Sequence, residues 1–278
     1  MKINKKQFIR QMNQTTSYDE FSIVYKRMAH RLLLSLRDRV FNPSRILELG
    51  CGTGYLTQLL LEYFPQAEMV AVDLSPERIE AARERVTPAS RVRFITADVE
   101  EADLSNLGSF DLIISNLMGD WLQVPEIVLA KIGAMLNREG WYGMTAYGPE
   151  TCQEMQAMFK QVENEWELSH ERHFLPFRSA GEWEKLFNRA GLMEVALEEC
   201  WQRIEYEDCR TLLERIKAAG ESYSENKQNF MVQRNVLTEV MRRYNRAYRS
   251  KTGVYATFHL LTLWGKKRDR MKCSSIFK

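Results

Sequence analysis

One segment constrains this chain more than any other: Glu48-Leu49-Gly50-Cys51-Gly52-Thr53-Gly54. It ends a short apolar run, Arg45-Ile46-Leu47-Glu48-Leu49, that reads as a buried strand. A helical pattern follows through Leu56, Leu59, Leu60 and Tyr63 and closes at Pro65. Glycines at alternate positions let the backbone turn sharply and let a ligand come close to it. The spacing is G-x-G-x-G, whereas dinucleotide sites use G-x-G-x-x-G and rest a pyrophosphate on a helix N-terminus. The form with a leading acid suits a ligand without phosphate, an amino acid joined to a sulfonium, lying across the turn. Glu48, Gly50, Cys51, Gly52 and Gly54 are therefore candidate ligand contacts.

The strands that follow supply the rest of such a site. Met69-Val70-Ala71-Val72-Asp73 is a second strand, and Asp73 ends it about 20 residues past the turn, where a carboxylate can accept ribose hydroxyls. Leu74 follows it into the site, and Ser75-Pro76 caps and opens the next helix. Val92–Ile95 is a third strand. Just beyond it, Asp98 is placed to accept from an adenine amino group, with Val99 against the ring. Phe110–Ser115 is a fourth strand, and Asn116 and Leu117 at its end face the ligand crevice of an open sheet. A helical pattern over 121–136 and a strand at 141–145 complete an alternating series. That series predicts an α/β fold, a Rossmann-like parallel sheet with helices on both faces.

Outside this core, residues 1–44 read as a helical lid with Phe21, Val24, Met28, Leu32 and Leu36 at helical spacing. They are too few to bury a core of their own. Residues 45–150 form the ligand-binding core, and 151–278 the cap helices and final strands. The helices are expected near 151–163, 179–190, 206–219 and 227–249, and the strands at 193–204 and 254–264, where they could complete the sheet at one edge.

Leu47 to Gly54, Val72-Asp73, Ala97-Asp98 and Phe110-Asp111-Leu112-Ile113 together resemble the ordered motifs of class I S-adenosylmethionine (SAM)-dependent methyltransferases, over roughly residues 45–145. That resemblance implies SAM as cofactor. Further segments resemble one family within the class, the malonyl-acyl-carrier-protein O-methyltransferases of biotin synthesis. These are Ser17-Tyr18-Asp19-Glu20-Phe21, Ser115-Asn116 with Trp121, and Thr145-Ala146-Tyr147-Gly148-Pro149-Glu150-Thr151. Phe174-Leu175-Pro176, Ile216 to Gly220 and Thr257-Phe258-His259 follow in family order. Phe258 stands where a tyrosine is commoner, and Gly119-Asp120 depart from the usual residues before Trp121. The resemblance implies esterification of the free carboxylate of a malonyl group on acyl carrier protein, with Tyr18, Trp121 and Tyr147 as the candidate catalytic residues, shaping the reaction chamber.

The chemistry is compatible. A malonyl carboxylate is ionised at neutral pH and needs no general base to attack a methyl sulfonium. No compulsory catalytic His or Cys constellation is evident. Catalysis would rest on in-line alignment and exclusion of water. An acyl-carrier partner is acidic, and Arg234, Arg242, Arg243, Arg246, Arg249 and Lys251 oppose a single acid, Glu239. On a helix with Phe230, Leu237, Met241, Tyr244 and Tyr248 as its apolar stripe, they would make a basic docking face.

Charge and composition narrow the alternatives. The net charge of +2 gives no global case for nucleic acid or membrane. Ser115-Asn116-Leu117-Met118 also lacks the N-P-P-Y type of loop used on bases. No run approaches the roughly 20 apolar residues of a membrane span, and no signal-peptide pattern follows the charged N-terminus, which predicts a cytoplasmic protein. The five cysteines have no C-x-x-C spacing, so no metal is expected and free thiols are. Two other readings stay open from the residues: a methyltransferase for a free small carboxylic acid or a quinone precursor, and a non-catalytic SAM-binding protein.

Overall fold

The computed structural model describes residues 23–37, 39, 42–218 and 229–267. Among them the elements run α1 (Ile23–Leu36), β1 (Arg45–Leu49), α2 (Tyr55–Tyr63), β2 (Glu68–Asp73), α3 (Pro76–Arg85), β3 (Val92–Thr96) and β4 (Phe110–Asn116). Then come α4 (Pro125–Met135), β5 (Leu136–Tyr147), α5 (Gln153–Glu165), α6 (Ala180–Arg189), β6 (Leu192–Tyr206), α7 (Cys209–Ala218), α8 (Phe230–Ala247) and β7 (Val254–Lys267). The seven strands form one sheet in the order β3-β2-β1-β4-β5-β7-β6. The ladders β3–β2, β2–β1, β1–β4 and β4–β5 are parallel. The two late strands do extend the sheet at one edge, beyond β5.

This is the Rossmann-like arrangement the alternating pattern predicts. From β1 the chain steps outward through β2 to β3, then returns to β4 and steps the other way to β5. Right-handed crossovers in opposite directions place α2 and α3 on one face and α4 on the other. Two of the elements differ most in extent from their sequence patterns. The helix expected over 121–136 is a 3-10 turn at Gly119–Trp121 followed by α4, and β5 begins five residues before the expected strand. Pro125 at the first helical position sets the start of α4. Its C-cap Leu136 is already extended, so helix passes into strand without a loop.

The chain divides into two compact units. The first holds Ala29–Thr145, Gly181–Glu198 and the described residues from Thr262. Its core joins Ala29, Leu32 and Leu36 of α1 and Leu56 and Leu60 of α2 with Ile79 and Ala82 of α3, against Ile46, Met69, Ala71, Leu112 and Ile114 of the sheet. The strand positions between these, Leu47, Val70, Val72 and Ile113, are also buried and point to the other face. There Phe187 of α6 packs on Tyr142 of β5 with ring centroids 5.2 Å apart. Met28, Leu32 and Leu36 of α1 are buried as their spacing predicts.

The second unit holds Ala146–Ala180 and Glu199–Leu261, with the described residues up to Met28. Here α8 corrects the sequence reading. Its buried stripe is Val236, Val240 and Tyr244, while Phe230 is 77% exposed and Leu237 37% exposed. Tyr244 belongs to both stripes, and its buried hydroxyl donates to the Tyr255 carbonyl at 2.8 Å. Arg242 and Arg243 are tied to Glu239 at 2.5 and 2.6 Å, and Arg243 also to Glu165 at 2.6 Å. These hydrogen bonds hold the Glu239 carboxyl down at about 2. Arg234 and Arg246 remain exposed on the side of the helix away from the buried stripe. Among the described residues, no helix is long and apolar enough to cross a membrane.

Candidate active site

The order of the strands reverses between β1 and β4, and ligands of such sheets bind outside the carboxyl ends at that point. The glycine turn closes one side of this crevice. Gly50 has φ +74°, and a Cβ there would stand 2.6 Å from Met118 Cγ, so only glycine lets the turn lie against the end of β4. The Gly50 and Cys51 amides both donate to the Val72 carbonyl, at 2.8 and 3.0 Å. Gly54 has φ +80° and caps α2; a Cβ there would come within 3.0 Å of Ala82 and Val86. Its missing side chain therefore serves helix packing as well as the turn.

Asp73 organises the turn. Its Oδ2 accepts from the Gly52 amide at 2.8 Å, and its Oδ1 from the Ser75 amide at 2.9 Å. Each oxygen keeps further acceptor capacity, so the carboxylate can hold the loop and still accept from a ligand's hydroxyls. Leu74 is half-buried beside it, and the Ser75 hydroxyl accepts from the Arg78 amide at 3.2 Å as the cap of α3.

Glu48 is the unusual group. It is fully buried. Thr57 Oγ1 donates to its Oε2 at 2.6 Å, and its Oε1 has no partner among the described residues. Burial pushes the carboxyl up to about 8; the Thr57 hydroxyl works against that shift and the nearby Asp73 charge adds to it. A buried acceptor left open is costly unless a donor fills it. An ammonium ligand fits that requirement, so the residues present suit the amino-acid end of SAM. Cys51 is also buried, and burial, then Glu48 and Asp73, push its thiol well above the ordinary range, so it is no nucleophile.

The other wall is built from the ends of β3 and β4. Asp98 lies two residues past the end of β3, and its Oδ1 accepts from the Glu100 amide at 2.9 Å. Val99 beside it is buried. Asn116 is buried, and its Oδ1 accepts from Thr145 Oγ1 at 2.6 Å. Thr145 Oγ1 in turn accepts from the Leu117 amide at 3.0 Å. Leu117 has φ +53°, a left-handed conformation that costs a leucine energy and persists only when its surroundings impose it. Thr145 holds it through its hydroxyl and through its carbonyl, which accepts from the same amide at 3.2 Å; the family-like segment that begins at Thr145 gives it no such task by itself. Thr145→Val keeps the shape and removes both hydroxyl bonds, so the KM for SAM should rise on the order of tenfold. Thr145→Ser should restore it; steady-state kinetics of both variants check this, and a silent valine variant counts against the clamp.

All the predicted cofactor residues, from Glu48 to Leu117, fall within the first unit, around the carboxyl ends of β1 to β4. Trp121 is half-buried in the same unit, its amide donating to the Met118 carbonyl at 3.1 Å. Tyr147 is buried in the second unit, its ring centroid 5.4 Å from Phe177 and 6.2 Å from Phe258. Tyr18 lies outside the described residues.

A methyltransferase-domain family model matches residues 46–140, the segment that builds this crevice. The malonyl-acyl-carrier-protein O-methyltransferase of a Paenibacillus species is 32% identical over 92% of this chain and 96% of its own. That of Bacillus anthracis is 31% identical over 93% of this chain and 96% of its own. This chain belongs to the malonyl-acyl-carrier-protein O-methyltransferase family. As a class I methyltransferase it shares its fold with distant solved structures. A Haemonchus contortus phosphoethanolamine N-methyltransferase in complex with SAM superposes with TM-score 0.54 and 16% identity, covering 87% of this chain and 53% of that one. The YcgJ protein of Bacillus subtilis gives TM-score 0.58 and 18% identity, covering 86% and 99%.

Proposed function

We propose that this enzyme esterifies the free carboxylate of a malonyl thioester on acyl carrier protein, an early step of biotin synthesis, in the cytoplasm. Similarity along 92% of the chain to relatives named for that reaction carries the reading. When bound, SAM supplies the methyl group as an electrophile on sulfur. Glu48 would accept from the ligand's ammonium, Asp73 from the ribose hydroxyls and Asp98 from the adenine amino group, with Val99 and Leu117 as apolar walls. The malonyl carboxylate is already ionised, so the protein's task is alignment and exclusion of water rather than proton removal. Mass spectrometry of malonyl-acyl carrier protein incubated with enzyme and SAM should show one added methyl group. Free malonate methylated as readily as the carrier thioester would overturn the carrier reading.

The acidic carrier is proposed to meet the basic side of α8. Because Arg242 and Arg243 already have acidic partners, the exposed Arg234 and Arg246 are the better probes. Reversing both to glutamate should raise the KM for the carrier substrate several-fold at low salt, with kcat nearly unchanged, and added salt should shrink the difference. Equal KM values at low salt would move the docking surface off this helix.

A further inference from the structure

A cation on α4 holds the loop that carries Asp98 and Val99. Lys131, half-buried on α4, donates through Nζ to the carbonyls of Val99 at 2.9 Å, Glu100 at 2.8 Å and Ala102 at 2.8 Å. A lysine ammonium has three donors, and all three are committed to carbonyls of this one turn. A lysine on a helix normally keeps its charge in water, and three converging carbonyls would repel one another without the cation between them. Other bonds tie the loop as well. Glu100 Oε1 accepts from the Val124 amide, just before α4, at 2.7 Å. The Asp98 carbonyl accepts from the amides of Glu101 and Ala102, at 3.1 and 2.8 Å. The 98–102 turn is thus bolted to α4, and Asp98 has little freedom to re-aim.

We propose that Lys131 is a positioning residue that sets purine selectivity, by fixing the backbone of Asp98 and Val99 so that the site takes a 6-aminopurine and rejects a 6-oxopurine. The proposal rests on the reading of Asp98 as the acceptor for the adenine amino group. A 6-oxopurine presents a carbonyl oxygen where the amino donor would be. A mobile loop could turn its carboxylate toward the neighbouring ring N–H and rescue binding; a bolted loop leaves two acceptors facing each other. Selectivity by an unpaired polar group needs that rigidity.

The test is calorimetric binding of S-adenosylhomocysteine and S-inosylhomocysteine to the wild type, Lys131→Met and Lys131→Arg, with thermal melts to confirm folding. The wild type should prefer the adenosyl ligand by on the order of a hundredfold. In Lys131→Met the preference should fall to a few-fold, because adenosyl binding weakens and inosyl binding improves as the freed carboxylate turns toward the ring N–H. Arginine, a planar fork, can satisfy two of the three carbonyls, so Lys131→Arg should lie between and carries the test should the methionine variant not fold. If Lys131→Met changes the affinity of both ligands by one factor, or changes neither, the wild-type preference survives and the proposal is overturned. A wild type that binds both ligands alike removes the Asp98 reading itself, an outcome visible without any variant, and the proposal falls with it.

Discussion

Asp73→Ala should weaken SAM binding on the order of a hundredfold or more while leaving a folded protein. Two losses combine. The carboxylate is the proposed acceptor for the ribose hydroxyls, and hydrogen bonds to charged groups are among the stronger ones. It is also the acceptor for the Gly52 and Ser75 amides, at 2.8 and 2.9 Å. Removing it leaves both donors to find water and releases the turn that presents the ligand. Asp73→Asn separates the two effects. An amide keeps one carbonyl oxygen for one of the two backbone donors but turns an NH2 toward the other. Its affinity should therefore fall nearly as far as that of alanine, with a smaller loss of thermal stability. Titration calorimetry with S-adenosylhomocysteine reads the affinities. Unchanged affinity in a folded alanine variant would take Asp73 out of the site.

The core of this site was legible because its signals are local. Glycines at a sharp turn, an acid at a strand end and a serine before a proline are each dictated within a few residues: Gly50 has positive φ, Asp73 ends β2 and Ser75 caps α3. Burial along a regular helix was legible too, as Leu32 and Leu36 show. What escaped is set by partners distant in sequence. Thr145 clamps Leu117 from 28 residues away, and Lys131 reaches Val99 from 32 residues away. Neither residue type announces such a task; a threonine at a strand end and a lysine on a helix are ordinary. The stripe of α8 failed for a related reason. Phe230 and Leu237 fit an apolar spacing that starts from aromatic and leucine positions, yet the smaller Val236 and Val240 face inward. Periodicity finds a stripe but not which of two overlapping stripes the neighbours cover. The docking arginines show the same limit for charge. A count of six bases against one acid overlooks Glu165 on α5, which pairs with Arg243 at 2.6 Å.

SAM binding at neutral pH should release close to one proton, and Glu48→Gln should abolish that release. In the free protein the Glu48 carboxyl titrates at about 8 against an ordinary value of 4.5. Between those values the folded state holds a proton that the unfolded chain has lost. The sign follows from linkage: this group's contribution to stability is complete below the unfolded value and is lost as pH rises through the folded one. The free protein's melting temperature should therefore fall from pH 5 to pH 8 more steeply than that of Glu48→Gln, which cannot ionise. A cationic ligand at the open Oε1 reverses the preference, because an opposite charge favours the ionised carboxylate. Affinity should then climb with pH until Glu48 is ionised in the free protein as well. Calorimetry in two buffers of different ionisation enthalpy measures the proton count directly. The glutamine variant keeps an oxygen for Thr57 but points an amide NH2 where the ligand's ammonium would be, so it should bind SAM most poorly, relative to wild type, at pH 8. A binding enthalpy that is the same in both buffers would mean that Glu48 keeps its proton in the complex, and that the ammonium is held by some other group.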